Sequence, residues 1–337
     1  MEKKQLFGIM PDGREIDVFV IKSQHAEAHI LTLGGILQTL KVFGRDVVAG
    51  FDTLADYLAD DSHQGELVGR TCNRIGGGRF EMDGVCYEVA KNDGGRHHLH
   101  GGNIGFGRRI WSVEDLEEDS ITLSLKSEDG EEHYPGNVYV EVTYRLVGSD
   151  LVISYKGKTD KKTPLSMTNH AYFNLLGYGN GDILGHTLWL DAEEYTETDA
   201  DLIPTGKRVK VEGTNYDFRT PKTIGENMPD GFFGFDDNFV FQKSRPVTYL
   251  GAPLFWGATL SVKDLEMRVL TDRPCVQLYI GNFLSGMPNM KGGKPKVPHT
   301  TVCLETQTEP DSIQRGETFL LPEETYEAQT VYAFTKK

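Results

Sequence analysis

The strongest constraint on this chain is a run of strict alternation. Val138, Val140, Val142, Tyr144 and Leu146 are spaced two apart, and Tyr139, Glu141, Thr143 and Arg145 fill the gaps. A repeat of two is the side-chain period of a strand with one face in a core, and it places nothing on one side of a helix. Gly148-Ser149-Asp150 then turns the chain into Leu151-Val152-Ile153-Ser154-Tyr155, so the two runs read as a hairpin. The pattern recurs at Ile121, Leu123 and Leu125, which alternate with Thr122 and Ser124. A second hairpin runs from 258–262 through Lys263-Asp264 to Leu265, Met267 and Val269, and Tyr326, Ala328, Thr330, Tyr332 and Phe334 share one face of a last strand. Helix signals are few. The best is Thr53-Leu54-Ala55-Asp56-Tyr57-Leu58, with Thr53 placed as N-cap and Asp56 three residues on. No strand–helix rhythm supports a parallel α/β design. The expected fold is all-β: one large antiparallel β-sandwich with very few short helices, a single domain over 1–337. The Gly/Lys/Pro-rich stretch 291–296 reads as a surface loop rather than a boundary.

Composition removes several function classes. Lys plus Arg number 35 against 50 for Asp plus Glu, a net charge of −15. Such a surface repels phosphate backbones and anionic lipid, so neither nucleic acid nor membrane is an expected partner. No apolar run approaches the roughly 18–20 residues that span a bilayer. The opening Met1-Glu2-Lys3-Lys4-Gln5-Leu6 lacks an apolar secretory segment. Cys72, Cys86, Cys275 and Cys303 form no CxxC pair, which points to free thiols and a cytoplasmic location rather than a zinc ribbon or disulfide framework.

Three local patterns invite a reading and do not sustain it. Gly157-Lys158-Thr159 looks like the end of a phosphate-binding loop, but Val152 stands where that motif needs glycine. Gly76-Gly77-Gly78 reads as a turn. In His97-His98-Leu99-His100, His98 and His100 could share a strand face and offer two imidazoles to a metal, yet no acid follows before Glu114. The expected role is a polar loop, with no metal.

Polar side chains inside apolar strands mark the candidate site. With Val276, Leu278 and Ile280 in a core, Gln277 and Tyr279 turn together to the other face. The same parity groups His170 with Tyr172 and Asn174, and Glu305 with Cys303 and Gln307. Arg74, His100, His170, Asp236, Gln277 and Glu305, flanked by aromatic residues, suit a polyhydroxylated substrate. Carboxylates and arginine grip hydroxyls, and rings cover the apolar sugar face.

These segments resemble the aldose 1-epimerase (galactose mutarotase) family almost end to end. Asn73-Arg74-Ile75 is similar to its NRI segment, Leu99-His100-Gly101-Gly102 to its LHGG, and 168–175 to its TNHxYFNL. Ile203-Pro204-Thr205-Gly206 resembles its IPTG, and Asp236-Asp237-Asn238-Phe239 its DxNF. Glu305-Thr306-Gln307 with Pro310-Asp311 resembles its ETQxxPD, with different residues at inner positions. The residues preceding His100, Arg96-His97-His98, depart from the family's usual small polar residue, and 291–296 matches no motif.

The resemblance implies the galactose mutarotase-like supersandwich and interconversion of the α and β anomers of free hexoses such as galactose and glucose. It implies no cofactor, small-molecule aldose sugars as partners, and a monomer or homodimer. Glu305 is then the base and His170 the acid, with the neighbouring carboxylate expected to favour the imidazolium. His100 donates toward the ring oxygen, and Asn73, Arg74, Asp236, Gln277 and Tyr172 bind the sugar. Two other reactions use similar residues. A glycoside hydrolase would employ Asp236 and Glu305 as its carboxylate pair but leaves the histidines idle. A hexose-6-phosphate 1-epimerase needs a basic pocket, for which only Arg70 and Arg74 stand near the motifs. A sugar-binding module of the same fold would lack the acid or the base.

Overall fold

The computed structural model describes residues 3–337 and consists almost wholly of antiparallel sheets. The largest has ten strands. Its path runs Ser112–Leu116, Ser120–Ser127, Val138–Val147, Asp150–Thr159, Tyr326–Lys336, Leu265–Thr271, Ala252–Ser261, Thr187–Leu190 and Lys222–Thr223, with Pro246–Tyr249 added beside Ala252–Ser261. The alternating run forms the predicted hairpin, with Val142 opposite Tyr155 and Tyr144 opposite Ile153. The last strand inserts between Asp150–Thr159 and Leu265–Thr271, so the C-terminal segment completes the middle of the sheet.

A five-stranded sheet made by residues 4–46 (Lys4–Ile9 to Arg45–Asp46) packs against it. A second five-stranded sheet runs Pro204–Lys210, Ala192–Thr198, Asp236–Phe241, Cys275–Tyr279 and Cys303–Gln307. All three contribute to one continuous apolar core, from Ile21 and Ile30 through Val140, Val142 and Tyr144 to Val276, Leu278 and Leu304. Val138 through Leu146 bury every second side chain, as period two requires. The sandwich read from the alternation is thus observed. No helix is long and apolar enough to cross a membrane among the described residues.

The helix forms where expected, over Leu54–Ala59, and Thr53 Oγ1 accepts the Asp56 backbone N–H at 3.2 Å. Gly157-Lys158-Thr159 lies in the strand Asp150–Thr159, and Gly76–Gly78 is a single turn with Gly77 at φ +67°. The 291–296 stretch is the expected surface loop, with Gly292, Gly293, Lys294 and Pro295 exposed, but its two end lysines turn inward. Lys291 Nζ lies 2.7 Å from Asp46 and donates to the Gln38 carbonyl at 2.7 Å, and Lys296 is buried in an ion pair with Asp60. These ammonium groups turn inward because carboxylates and carbonyls beneath the loop replace their water, a partnership that local composition cannot display.

Ile153 is fully buried and pairs with Thr330 across the sheet, whereas Lys156 on the same strand is exposed. Ile153→Ala should lower the unfolding free energy by about 2–5 kcal/mol in urea. Lys156→Thr should change it by no more than about 0.5 kcal/mol. Equal effects would contradict the assigned faces.

Candidate active site

Three neighbouring strands supply the carboxylate side of the site. Glu305, at the middle of Cys303–Gln307, stands directly opposite Gln277, and Asp236 opens the adjoining strand opposite Tyr279. Gln277 Nε2 donates to Asp236 Oδ1 at 2.8 Å. Val276, Leu278 and Ile280 are fully buried, so the expected parity holds and turns Gln277 and Tyr279 into the cavity. That cavity, about 400 Å³, is lined by all eight residues singled out above: Asn73, Arg74, His100, His170, Tyr172, Asp236, Gln277 and Glu305.

His170 follows the short strand Thr168–Asn169, and its Nε2 lies 3.6 Å from Glu305 Oε1. Both groups are nearly sealed from solvent, and Glu305 Oε2 has no protein hydrogen-bond partner. Tyr172 stacks on His170 with ring centroids 4.9 Å apart, while its hydroxyl donates to the Ser62 carbonyl at 2.7 Å. Tyr172 therefore lines the cavity beside His170 with its hydroxyl already committed to backbone. Asn174 falls outside the group expected from parity: its amide bonds the carbonyls of Gly181 and Thr300 away from the cavity lining.

The opposite wall comes from loops. Asn73 adopts φ +59° and its Oδ1 accepts the Arg74 backbone N–H. Arg74 Nε donates to Asp93 Oδ2 at 2.8 Å. His100, at φ +52°, accepts the Asn73 backbone N–H on Nδ1 at 3.2 Å. That bond leaves the ring proton of neutral His100 on Nε2, a fixed donor. His100, His170 and Glu305 have potential ligand atoms within 4.8 Å of one another. The donor set nevertheless does not suit a cation: one His100 nitrogen has its lone pair engaged by Asn73, and the other carries the proton.

His98 and His100 do not share a face. The strand His98–Leu99 ends before the left-handed backbone at His100 breaks the alternation. His98 is fully buried, with Nδ1 donating to the Ala90 carbonyl at 2.7 Å and Nε2 accepting from the Tyr134 hydroxyl at 2.6 Å. Burial draws its pKa down to about 4, so it remains neutral at pH 7. Arg70 is also structural. Its guanidinium donates to Ser127, Pro135, Thr163 and Glu128, leaving it committed inside the protein.

Burial sets the electrostatics. It raises Glu305 well above the carboxylate range, and the nearby Asp236 charge adds to the rise against the pull of Arg74. Burial lowers His170 to about 3, assisted by His63 and opposed by Glu66. This overturns the expectation that the adjacent carboxylate keeps His170 protonated: desolvation outweighs the attraction. Both shifts favour an uncharged Glu305–His170 pair over separated charges.

His63, Asp93 and Phe283 lie in no motif or alternating run, and Tyr279 shares a strand face with Gln277 without an expected role. All four line the cavity. Parity could have promoted Tyr279. The other three sit in irregular segments, where no period marks the inward side. Phe283 is 60% exposed and stacks against Tyr279 at 6.3 Å, forming an aromatic edge at the mouth.

In the unliganded protein the His170 ring should stay neutral down to about pH 3, well below the ordinary histidine value near 6.5. Imidazole carbon shifts in NMR, assigned by loss in His170→Asn, test this. A midpoint at or above 6.5 would contradict dominance by burial.

The family model for aldose 1-epimerase matches residues 17–333. The galactose mutarotase of Sus scrofa is 36% identical over 342 aligned positions, covering 98% of each chain. The aldose 1-epimerase of Haemophilus influenzae is 37% identical over 320 positions, covering 91% of each. A solved aldose epimerase homologue from C. elegans superimposes with a TM-score of 0.85 at 27% identity, over 95% of this chain and 98% of that one. The same supersandwich and near full-length matches place the chain in the aldose 1-epimerase family.

Proposed function

We propose that this protein interconverts the α and β anomers of free hexoses such as galactose and glucose, by acid–base opening and closure of the ring. The observation that carries the reading is the buried Glu305–His170 pair, 3.6 Å apart, with one Glu305 oxygen left without a protein partner. Family membership supports it.

Ring opening removes a proton from the C1 hydroxyl and delivers one to the ring oxygen, while the C1–O5 bond breaks and C1 becomes a carbonyl. Glu305 acts as base on the hydroxyl and His170 as acid on the ring oxygen. The single proton that rests on Glu305 in the unliganded protein passes to His170 when the sugar binds, and ring opening then turns this carboxylate–imidazolium pair back into the neutral pair that burial favours. Desolvation thus favours the open form, and closure on either face of the rotated aldehyde restores the charges. His100 Nε2–H donates toward the ring oxygen as its charge changes. Asn73, Arg74, Asp236 and Gln277 bind hydroxyls, and Tyr172 contacts the sugar beside His170. No electron is transferred, so the chemistry calls for no redox cofactor. We place this work in a single domain acting in the cytoplasm on sugars of carbohydrate metabolism, as a monomer or homodimer.

A hexose-6-phosphate substrate is not favoured. Arg70 is spent on interior oxygens and Arg74 on Asp93, while Asp61, Asp93 and Asp236 line the cavity and disfavour a phosphate dianion. A glycoside hydrolase reading leaves His100 and His170 without a task.

Polarimetry of freshly dissolved α-glucose and α-galactose tests the proposal. Glu305→Gln and His170→Asn should each reduce kcat by about 10²-fold or more with the fold intact. The double variant should fall little further, because loss of either proton carrier already blocks ring opening. Near-native turnover in Glu305→Gln would move the base elsewhere, with Asp236 the next carboxylate to examine.

A further inference from the structure

Three imidazoles meet in the cavity, and the anomerisation reading above employs only two. The ring of His63 lies 4.8 Å from that of His100 and 6.0 Å from that of His170, centroid to centroid. His63 stands on the turn after the helix, in left-handed backbone at φ +56°. Its Nδ1 is 2.8 Å from Glu66 Oε2. An ionised carboxylate only accepts hydrogen bonds, so Nδ1 carries a proton there.

Glu66 is 3% exposed, and its other oxygen lies 3.3 Å from Arg108 Nε. Arg108 is itself fixed by the carbonyls of Tyr57 and Asp60. Burial alone would raise the Glu66 pKa, but His63 and Arg108 together hold it below the usual carboxylate range. Removing a carboxylate and a guanidinium from water is costly, and here the arrangement orients one imidazole. The turn is also locked to the proposed acid: Gly65 N–H donates to the His170 carbonyl, and His170 N–H to the Glu66 carbonyl, each at 2.9 Å.

His63 Nε2 has no protein partner among the described residues, and the ring walls both the 400 Å³ cavity and an adjoining one of about 370 Å³. We propose that His63 is a further substrate-binding and specificity-determining residue: its Nε2 hydrogen-bonds one hydroxyl of the sugar, and Glu66, held by Arg108, positions the ring. Glu305, His170 and His100 already serve the anomeric hydroxyl and ring oxygen. The His63 partner is therefore one of the remaining hydroxyls, at C2, C3, C4 or C6. A site built to bond a hydroxyl strongly rejects the analogue that lacks it.

The test is polarimetric kcat/KM of the full chain on glucose and on 2-, 3-, 4- and 6-deoxyglucose. For wild type, His63→Ala and Glu66→Gln, each deoxysugar gives a penalty relative to glucose. His63→Phe keeps the ring volume and carries the test where His63→Ala disturbs the turn. The expected result is a fall in kcat/KM on glucose on the order of 10-fold, mostly through KM. One deoxysugar penalty should shrink by a similar factor while the other three stay constant. Glu66→Gln should shrink the same penalty, which a merely structural role would not single out. Four penalties that fall together, or none that changes, would overturn the proposal. Wild-type protein that anomerises no free hexose would overturn the parent reading and this one with it, a result distinct from unselective penalties in an active enzyme.

Discussion

A carboxylate and an imidazole sealed from water, 3.6 Å apart, are the condition on which the rest of the site depends. In water such a pair would be a weakly interacting ion pair. Here desolvation penalises both charged forms, so moving a proton from imidazolium to carboxylate through a substrate relieves the penalty. The pair needs only one proton between them to provide both an acid and a base. Surrounding groups bias where it rests: Asp236 raises Glu305 and Arg74 lowers it, while His63 lowers His170 and Glu66 raises it.

The architecture explains how such a pair is held. Glu305, Gln277 and Asp236 belong to three adjacent strands whose other faces are embedded in the common core, so their spacing is set by ladder register rather than by flexible loops. The facing groups sit on loops, but these loops are pinned by backbone bonds: Asn73 to His100, and Gly65 and Glu66 to His170. The Asn73 N–H has a chemical effect as well as a structural one. It makes neutral His100 a donor on Nε2 and leaves the three-residue cluster poorly suited to a cation.

Much of this was legible from residue order where structure is periodic. The alternation over Val138–Val147 placed a hairpin and its core face, and the apolar spacing of Val276, Leu278 and Ile280 turned Gln277 inward. Motif segments hold seven of the eight expected residues that line the cavity, and alternation supplies the eighth, Gln277. Legibility ended where the backbone leaves a regular period. Left-handed conformations at His63 and His100 redirect side chains in ways that spacing cannot encode, so His63 was overlooked and His98 was grouped with His100. Charge states were hidden for another reason. The lowered pKa of His170 reflects total burial, to which residues remote in sequence contribute, whereas a sequence displays only that an acid is available. Lys291 and Lys296 illustrate the same gap, since their carboxylate partners lie more than two hundred residues away.

In the proposed reaction, turnover requires a single proton shared by Glu305 and His170. The most direct measurement is the pH dependence of kcat/KM for α-galactose, followed by polarimetry across the range in which the fold persists. Two protons on the pair leave no base and none leaves no acid, so the profile should be a bell whose two flanks belong to the pair. Glu305→Gln should abolish the bell as well as lower its height. A rate that climbs steadily with pH, or a bell that survives in Glu305→Gln, would contradict the account.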